Sequence, residues 1–278
     1  MNKFLISLLC TAAFSAAAQN KTERETTRIL EEGKKLYRSE MASWYGTDIF
    51  IAKFINKRPD IGGYFSYTDS SIAKCIFFSK GEQPKVIGTI SFDSTYNVNT
   101  ATADGTEREF SPYERDLWTI RQKAFDEIKK DDMFKSYEHM NFNLVPLIDG
   151  KEKKVYVFTG PEENGYVIIG NDYLITFNKD NTLLKKKGLH KNILALPYGK
   201  NEAVVSMHTH LPETGDYITA TDICTLMLYE KIANWKQHIV MSEDYVCLWD
   251  CKTDQLVTLT RKAWENIYKD QKERHKQE

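Results

Sequence analysis

The chain has 278 residues, of which 41% are apolar and 12% aromatic, so it is long enough and apolar enough to bury a substantial core. Its 38 basic and 39 acidic residues leave a net charge of −1. This balance gives no electrostatic basis for binding nucleic acid or an anionic membrane surface.

The first 18 residues have the pattern of a secretory signal peptide. Lys3 supplies a positive charge, residues 4–14 form an apolar run, and Ala16 and Ala18 are the small residues that a signal peptidase requires. The apolar run is shorter than the roughly 20 residues that a membrane-spanning helix needs. We therefore expect cleavage near Ala18 and a mature chain without a transmembrane segment, either periplasmic or secreted.

Four cysteines follow this segment, namely Cys75, Cys224, Cys247 and Cys251. The compartment expected for an exported protein permits disulfides. On one strand, Cys247 and Cys251 would lie about 13 Å apart, which is beyond the reach of a disulfide. The spacing therefore favours free, buried thiols.

Residues 19–105 are expected to form a helix followed by a β-hairpin region. Apolar residues recur at helical spacing over residues 22–44. Two apolar runs, residues 74–79 and 85–93, flank a short polar turn, which is typical of a hairpin. The small and polar residues 97–105 predict a linker or a mobile loop.

Residues 106–266 predict an α/β domain in which helices pack on a mixed sheet. Ser111, Pro112 and Glu114 form a capping signature for a helix that runs to about Lys130. A second helix is expected from Thr219 to about residue 236, and residues 267–278 form a charged tail. The predicted strands are residues 144–148, 155–158, 166–169, 173–177, 183–189, 203–210, 239–250 and 255–260.

The segment SMHTHLPETGDYITATD, residues 206–222, contains the residues that suggest chemistry. His208 and His210 end a predicted strand, so both imidazoles project to one face with their Cα atoms about 7 Å apart. That spacing lets two ring nitrogens bind one ion at about 2.0–2.1 Å. Asp222, in the first turn of the next helix, can reach back as an oxygen ligand. Two imidazoles and one carboxylate, with a fourth position left open for water, are the ligands of a catalytic zinc site.

The pattern His208-x-His210-x8-Thr219-x2-Asp222 resembles the H-x-H-x8-S-x2-D signature of the JAMM (MPN/JAB) metalloprotease fold. The resemblance implies a JAMM/cytidine-deaminase-like fold for residues 106–266. It also implies that the two histidines and the aspartate bind zinc. Thr219 would replace the serine that steadies the oxyanion, keeping the hydroxyl and adding a methyl group. The implied activity is zinc-dependent hydrolysis of an amide bond in a peptide or protein substrate.

The resemblance also requires an upstream glutamate that acts as general acid/base. Glu162 stands three residues before Gly165 and an apolar run, which is similar to the family's E-x-x-G pattern, and Glu163 beside it is a second candidate. The same residues can also form an ordinary acidic turn between two hairpin strands. Without this glutamate, the alternative function is a catalytically inactive JAMM-like module for binding or interaction in the cell envelope.

Other interpretations of these residues stay open. Thr219 and Asp222 also match a capping box, in which the two side chains satisfy the first backbone amides of a helix. Asp216 is a second candidate for the third ligand. His190 and His238 are expected to be structural histidines. The sequence specifies neither a substrate nor an oligomeric state.

Overall fold

The computed structural model describes residues 3–199 and 205–274, with side chains from residue 21 onward, and shows a mixed α/β protein. The side chains of the predicted signal peptide lie outside the described residues, and its cleavage stays a prediction. The helices are α1 (Lys3–Lys53), α2 (Pro112–Lys130), α3 (Ala220–Tyr229) and α4 (Arg261–Arg274), with a short 3-10 helix at Ile55–Asp60.

The described residues contain 14 strands. They are β1 (Ile61–Asp69), β2 (Ile72–Ser79), β3 (Val86–Phe92), β4 (Thr102–Asp104), β5 (Met140–Asp149), β6 (Glu152–Pro161), β7 (Tyr166–Gly170), β8 (Tyr173–Phe177), β9 (Leu183–Gly188), β10 (Ile193–Pro197), β11 (Val205–Thr209), β12 (Gln237–Met241), β13 (Tyr245–Asp250) and β14 (Gln255–Thr260).

Within the described parts of the chain, the strands form four sheets. Two four-stranded sheets have the orders β1-β2-β3-β4 and β5-β6-β8-β9, β10 pairs with β7, and the last sheet has the order β11-β12-β13-β14. Every pair of strands is antiparallel except β11 with β12, which is parallel. A parallel pair needs a crossover, and here helix α3 supplies it. The end of β11 and the start of α3 are therefore joined by a single loop.

Helix α1 packs against both the N-terminal and the C-terminal parts of the fold. Phe50 belongs to the core formed with β2 and β3, whereas Leu36 lies in a cluster with residues of β5, β6 and α3. A Cβ atom at Gly33 would lie 2.5 Å from Cβ of Ile223, so a side chain at Gly33 would force α1 and α3 apart. This contact helps to fix the position of α3.

Several predicted elements are confirmed and others differ. Helix α2 begins at Pro112 and has the capping box of Ser111 with Glu114, as predicted. The run predicted at 239–250 is divided into β12 and β13, because Ser242 closes a turn by bonding to Tyr245. Strands β1 and β10 were not predicted, and β4 lies within the expected linker. Helix α3 ends at Tyr229 rather than near residue 236.

The four cysteines are free and buried, as predicted. Burial raises the pKa of the Cys75 and Cys251 thiols to about 12. These thiols are therefore neutral side chains of the core. Among the described residues, no helix is both long enough and apolar enough to cross a membrane.

Candidate metal centre

Four side chains converge at one point, and each offers one potential metal-binding atom: those of His190, His208, His210 and Asp222. These four atoms lie within 4.8 Å of one another. Nε2 of His210 is 3.0 Å from Nε2 of both other histidines, and the Asp222 oxygens are 3.4 to 3.6 Å from the three Nε2 atoms. In a tetrahedral site with bonds of 2.0–2.1 Å, neighbouring donors lie about 3.3 Å apart. The spacing therefore fits a single metal ion.

Three segments of the fold place these side chains. His208 lies in β11, and His210 follows it closely, with its backbone N–H donating to the carbonyl oxygen of Met241 at 2.8 Å. Asp222 lies in the first turn of α3. His190 lies in the loop between β9 and β10. The parallel β11–α3–β12 unit thus supplies three of the four donors.

The Asp222 carboxylate gives a direct test of whether a metal fits. Its Oδ2 atom accepts hydrogen bonds from the backbone nitrogen and Oγ1 of Thr219, at 2.9 and 2.8 Å. Its Oδ1 atom is buried and has no hydrogen-bond partner among the described residues. Leaving a buried polar atom unpaired costs about 1–3 kcal/mol. A cation bound by Oδ1 would satisfy this atom, so the donor set fits a metal.

The protonation states of two donors also suit a metal site. Burial lowers the pKa of His208 to about 4, although the Asp222 carboxylate opposes this shift. Burial alone would raise the pKa of Asp222, but His190 and His208 hold it well below its usual range. Neutral imidazole and ionised carboxylate are the forms that bind metal.

His190 has a different environment. Burial lowers its pKa, but the carboxylates of Asp222 and Asp172 outweigh burial and hold the pKa of His190 well above its usual value. Its Nδ1 atom lies 2.6 Å from Oδ1 of Asp172. Asp172 therefore fixes the orientation of the His190 ring, with Nε2 directed at the other donors.

The imidazole of His208 is also hydrogen-bonded to His238, a histidine outside the cluster. Nδ1 of His208 lies 2.8 Å from Nε2 of His238, and Nδ1 of His238 lies 2.7 Å from Oγ of Ser206. If Nε2 of His208 binds a metal, its proton must be on Nδ1 and is donated to His238. His238 then carries its own proton on Nδ1 and donates it to Ser206. Burial lowers the pKa of His238 to about 3, consistent with a neutral ring.

The structure brings together His208, His210 and Asp222, the three ligands expected from the motif. It adds His190, which the sequence predicts only as a structural histidine. No local pattern marks His190, because it lies in a loop 18 residues before His208. His238 is outside the group of four, but it contacts His208 directly. Asp216, the alternative ligand, is exposed and outside the cluster.

Thr219 forms the capping box that its sequence pattern also predicts. Its Oγ1 atom accepts a hydrogen bond from the Asp222 backbone nitrogen at 3.1 Å and donates to Oδ2 of the same residue. Capping and metal binding are compatible here, because one Asp222 oxygen faces Thr219 while Oδ1 has no hydrogen-bond partner. In this arrangement Thr219 holds Asp222 in place, and its expected role towards an oxyanion stays a prediction.

Glu162 and Glu163, the expected acid/base residues, are not brought to the cluster. Both are exposed, in the bend between β6 and β7. Gly170, at the other end of β7, is the residue next to His190, since a Cβ atom there would lie 3.4 Å from Cβ of His190. A strand of this length spans about 13 Å. Glu162 and Glu163 precede the first residue of β7, so they lie at the end of β7 that is farther from the metal-binding cluster. In addition, β7 pairs with β10 rather than with β11.

His190 and His208 line a cleft of about 480 Å³. Their side chains are each 8% exposed, whereas those of His210 and Asp222 are 0% and 1% exposed. The ring centroids of His190 and His208 are 5.9 Å apart, compared with 4.9 and 5.0 Å from each to His210. The cleft therefore reaches the cluster on the side where its imidazoles are most widely separated.

Comparison with known proteins gives no assignment of family. No protein-family model matches the chain, and no curated protein or solved structure is significantly similar to it. The mixed α/β fold does not by itself identify a JAMM or deaminase fold, so the resemblance to JAMM proteins rests on the motif residues His208, His210, Thr219 and Asp222.

Proposed function

We propose that the chain is an exported, zinc-dependent hydrolase of amide bonds, with zinc held by His208, His210 and Asp222 in a JAMM-like arrangement. The observation that carries this proposal is the convergence of three Nε2 atoms on Asp222, whose buried Oδ1 has no hydrogen-bond partner among the described residues. Imidazole nitrogen and carboxylate oxygen suit zinc. The adjoining cleft supplies a route for a peptide or protein substrate. The pattern of the first 18 residues supports action outside the cytoplasm.

Zinc in this site would polarise a carbonyl oxygen and lower the pKa of water to about 7. Hydrolysis adds the hydroxyl group of water to the acyl carbon, breaks the C–N bond and delivers a proton to the amine nitrogen. A side chain that moves this proton must lie within hydrogen-bond reach of it.

We assign the movement of this proton to Nε2 of His190, in place of Glu162 or Glu163. Nε2 lies 3.0 Å from Nε2 of His210 and is thus beside the proposed ligands. Asp172 orients the ring through Nδ1, in the same way that a third group orients the base in hydrolytic triads. Thr219 keeps the Asp222 carboxylate in position.

A second candidate function is a catalytically inactive zinc-binding module in the cell envelope. The proximity of His190 favours it, because this imidazole is close enough to act as a fourth ligand. Structural zinc sites have four protein ligands and no open position. The exposed positions of Glu162 and Glu163 are also consistent with this alternative.

Replacement of His190 by alanine separates the two functions. If the chain is a hydrolase, His190→Ala retains about one zinc per chain and slows cleavage of a mixed peptide library by about 100-fold or more. If the site is closed, the unmodified chain cleaves no peptide, and His190→Ala binds zinc more weakly than the unmodified chain in competition with a chelator, because it removes one of four ligands. His139→Ala is the control, since His139 is exposed and outside the cluster. Elemental analysis, chelator competition and mass spectrometry of the peptides give the readouts.

A further inference from the structure

Two strands contribute residues to the cleft beside the proposed zinc site. Ile193 and Leu194, at the start of β10, line it together with Met207 and Thr209 of β11. Leu211, from the loop that follows β11, also lines it. Its volume of about 480 Å³ is within the usual range of ligand sites, about 300–1,000 Å³.

The walls of the cleft expose apolar side chains. The exposed fraction is 36% for Leu194, 51% for Met207 and 38% for Leu211. These three residues come from different segments of the chain. Single exposed apolar residues are common on protein surfaces. A group of them around a concave opening instead indicates a site that binds an apolar partner or ligand.

The charges around the cleft restrict the ligand further. Apart from the cluster histidines, Lys191 is the one ionisable side chain among the described residues that line it. Its Nζ atom is 3.5 Å from Oε1 of Glu213, so its charge already has a partner. No carboxylate lines the cleft in the described part of the chain. A cationic side chain would find no counter-charge there, whereas an aliphatic one would shield the apolar walls from water.

We infer that this cleft is the subsite for an aliphatic side chain next to the amide bond that is hydrolysed. The substrate class is then peptides with a residue such as leucine at that position. The inference rests on the proposed function, because His190 and His208 of the proposed zinc site also line the cleft. Contacts of this kind discriminate between side chains by about tenfold or more.

The test uses two metal-binding probes on the zinc-loaded chain, N-acetyl-leucine hydroxamate and N-acetyl-glycine hydroxamate. The hydroxamate group binds zinc in both, so the probes differ only in the side chain. Calorimetric titration should show the leucine probe binding at least about tenfold more tightly. Met207→Asp and Leu211→Asp should each reduce this preference severalfold while retaining zinc.

Val257→Asp is the matched control. Val257 is 50% exposed, nearly the same as Met207, but it lies on β14 at the opposite edge of the same sheet. This variant should keep the full preference for leucine. A preference that survives both Met207→Asp and Leu211→Asp, or that is lost in Val257→Asp, would overturn the inference.

The outcomes also separate this inference from the proposed function. If zinc binds and both hydroxamates bind equally well, the apolar subsite is wrong and the zinc hydrolase proposal stands. If the chain binds no zinc, or if zinc is bound but neither hydroxamate reaches it, the proposed function fails and the subsite fails with it.

Discussion

Nδ1 of His208 lies 2.8 Å from Nε2 of His238, while the other ring nitrogen of His208 faces the proposed metal site. His238 is fully buried and its Nδ1 is bonded to Ser206. The pair can therefore hold the His208 ring in one orientation and in the tautomer that leaves Nε2 free to bind a cation. Holding the His208 ring in this way requires a hydrogen-bond acceptor at position 238 and does not require a charged side chain there.

We predict that His238→Phe raises the zinc dissociation constant about 10- to 100-fold, because the substitution removes the acceptor for the His208 Nδ1 proton. His238→Gln should have a smaller effect, since an amide oxygen can also accept this proton. Competition with a zinc chelator measures both constants. Unchanged zinc affinity in His238→Phe would show that the hydrogen bond does not support the site.

The capping box at the start of α3 should contribute to both stability and metal binding. Thr219→Ala removes the side-chain cap and one of the two hydrogen bonds to Oδ2 of Asp222. We expect the free energy of unfolding of the zinc-free chain to fall by about 1 kcal/mol. Zinc affinity should also fall, because the carboxylate is held less firmly. Urea unfolding and chelator competition measure the two effects.

Ser111→Ala provides a matched control for this prediction. Ser111 has the same capping box with Glu114 at the start of α2, away from the metal-binding cluster. Its loss should cost a similar amount of stability and leave zinc affinity unchanged. Equal losses of zinc affinity in both variants would mean that Thr219 acts only through general stability.

Glu114 should give the protein an acid-sensitive contribution to stability. Burial alone would raise the pKa of this carboxyl group, but two hydrogen bonds from Arg108 and one from the Ser111 backbone lower it to about 2. A carboxylate with a lowered pKa stabilises the fold above its unfolded pKa of 4.5, and this contribution is lost as the pH falls through about 2. The shift corresponds to about 3 kcal/mol.

Urea unfolding between pH 7 and pH 2 tests this effect. Glu114→Gln should be less stable than the unmodified chain at pH 7, and the difference should shrink between pH 4.5 and pH 2. Glu109→Gln is a suitable control, because Glu109 is 65% exposed and makes only surface ion pairs. A difference for Glu114→Gln that does not depend on pH would contradict the assigned pKa.

Export also gives a direct prediction. The mature chain should begin at Gln19, because Ala16 and Ala18 are the small residues at the expected cleavage site. N-terminal sequencing of the exported protein measures this. Recovery of Met1 on protein that stays in the cytoplasm would show that the segment is not a signal peptide.

The parts of the site that the sequence predicts are those set by local geometry. Alternation along a strand places His208 and His210 on one face, and the capping pattern places Asp222 in the first turn of a helix. The cap of α2 is predicted for the same reason. In each case the residues involved are within a few positions of one another.

The parts that the sequence does not predict depend on distant chain segments. His190 reaches the cluster because the loop between β9 and β10 passes beside β11, and no neighbouring residue signals this. β10 is a five-residue strand that pairs only with β7 within the described chain, so its pattern is weak. The motif-like sequence at Glu162 gives no information on strand direction, which places the glutamate at the wrong end of β7.

Zinc content is the most direct test of the proposed metal site. Elemental analysis of the purified mature chain should find about one zinc per chain, falling to near zero in His208→Ala and in His210→Ala, because the remaining ligands hold zinc poorly. His139→Ala should retain the full amount. A mature chain that binds no zinc even after incubation with the ion, or one whose zinc is unaffected by both His208→Ala and His210→Ala, would show that this cluster is not a zinc site.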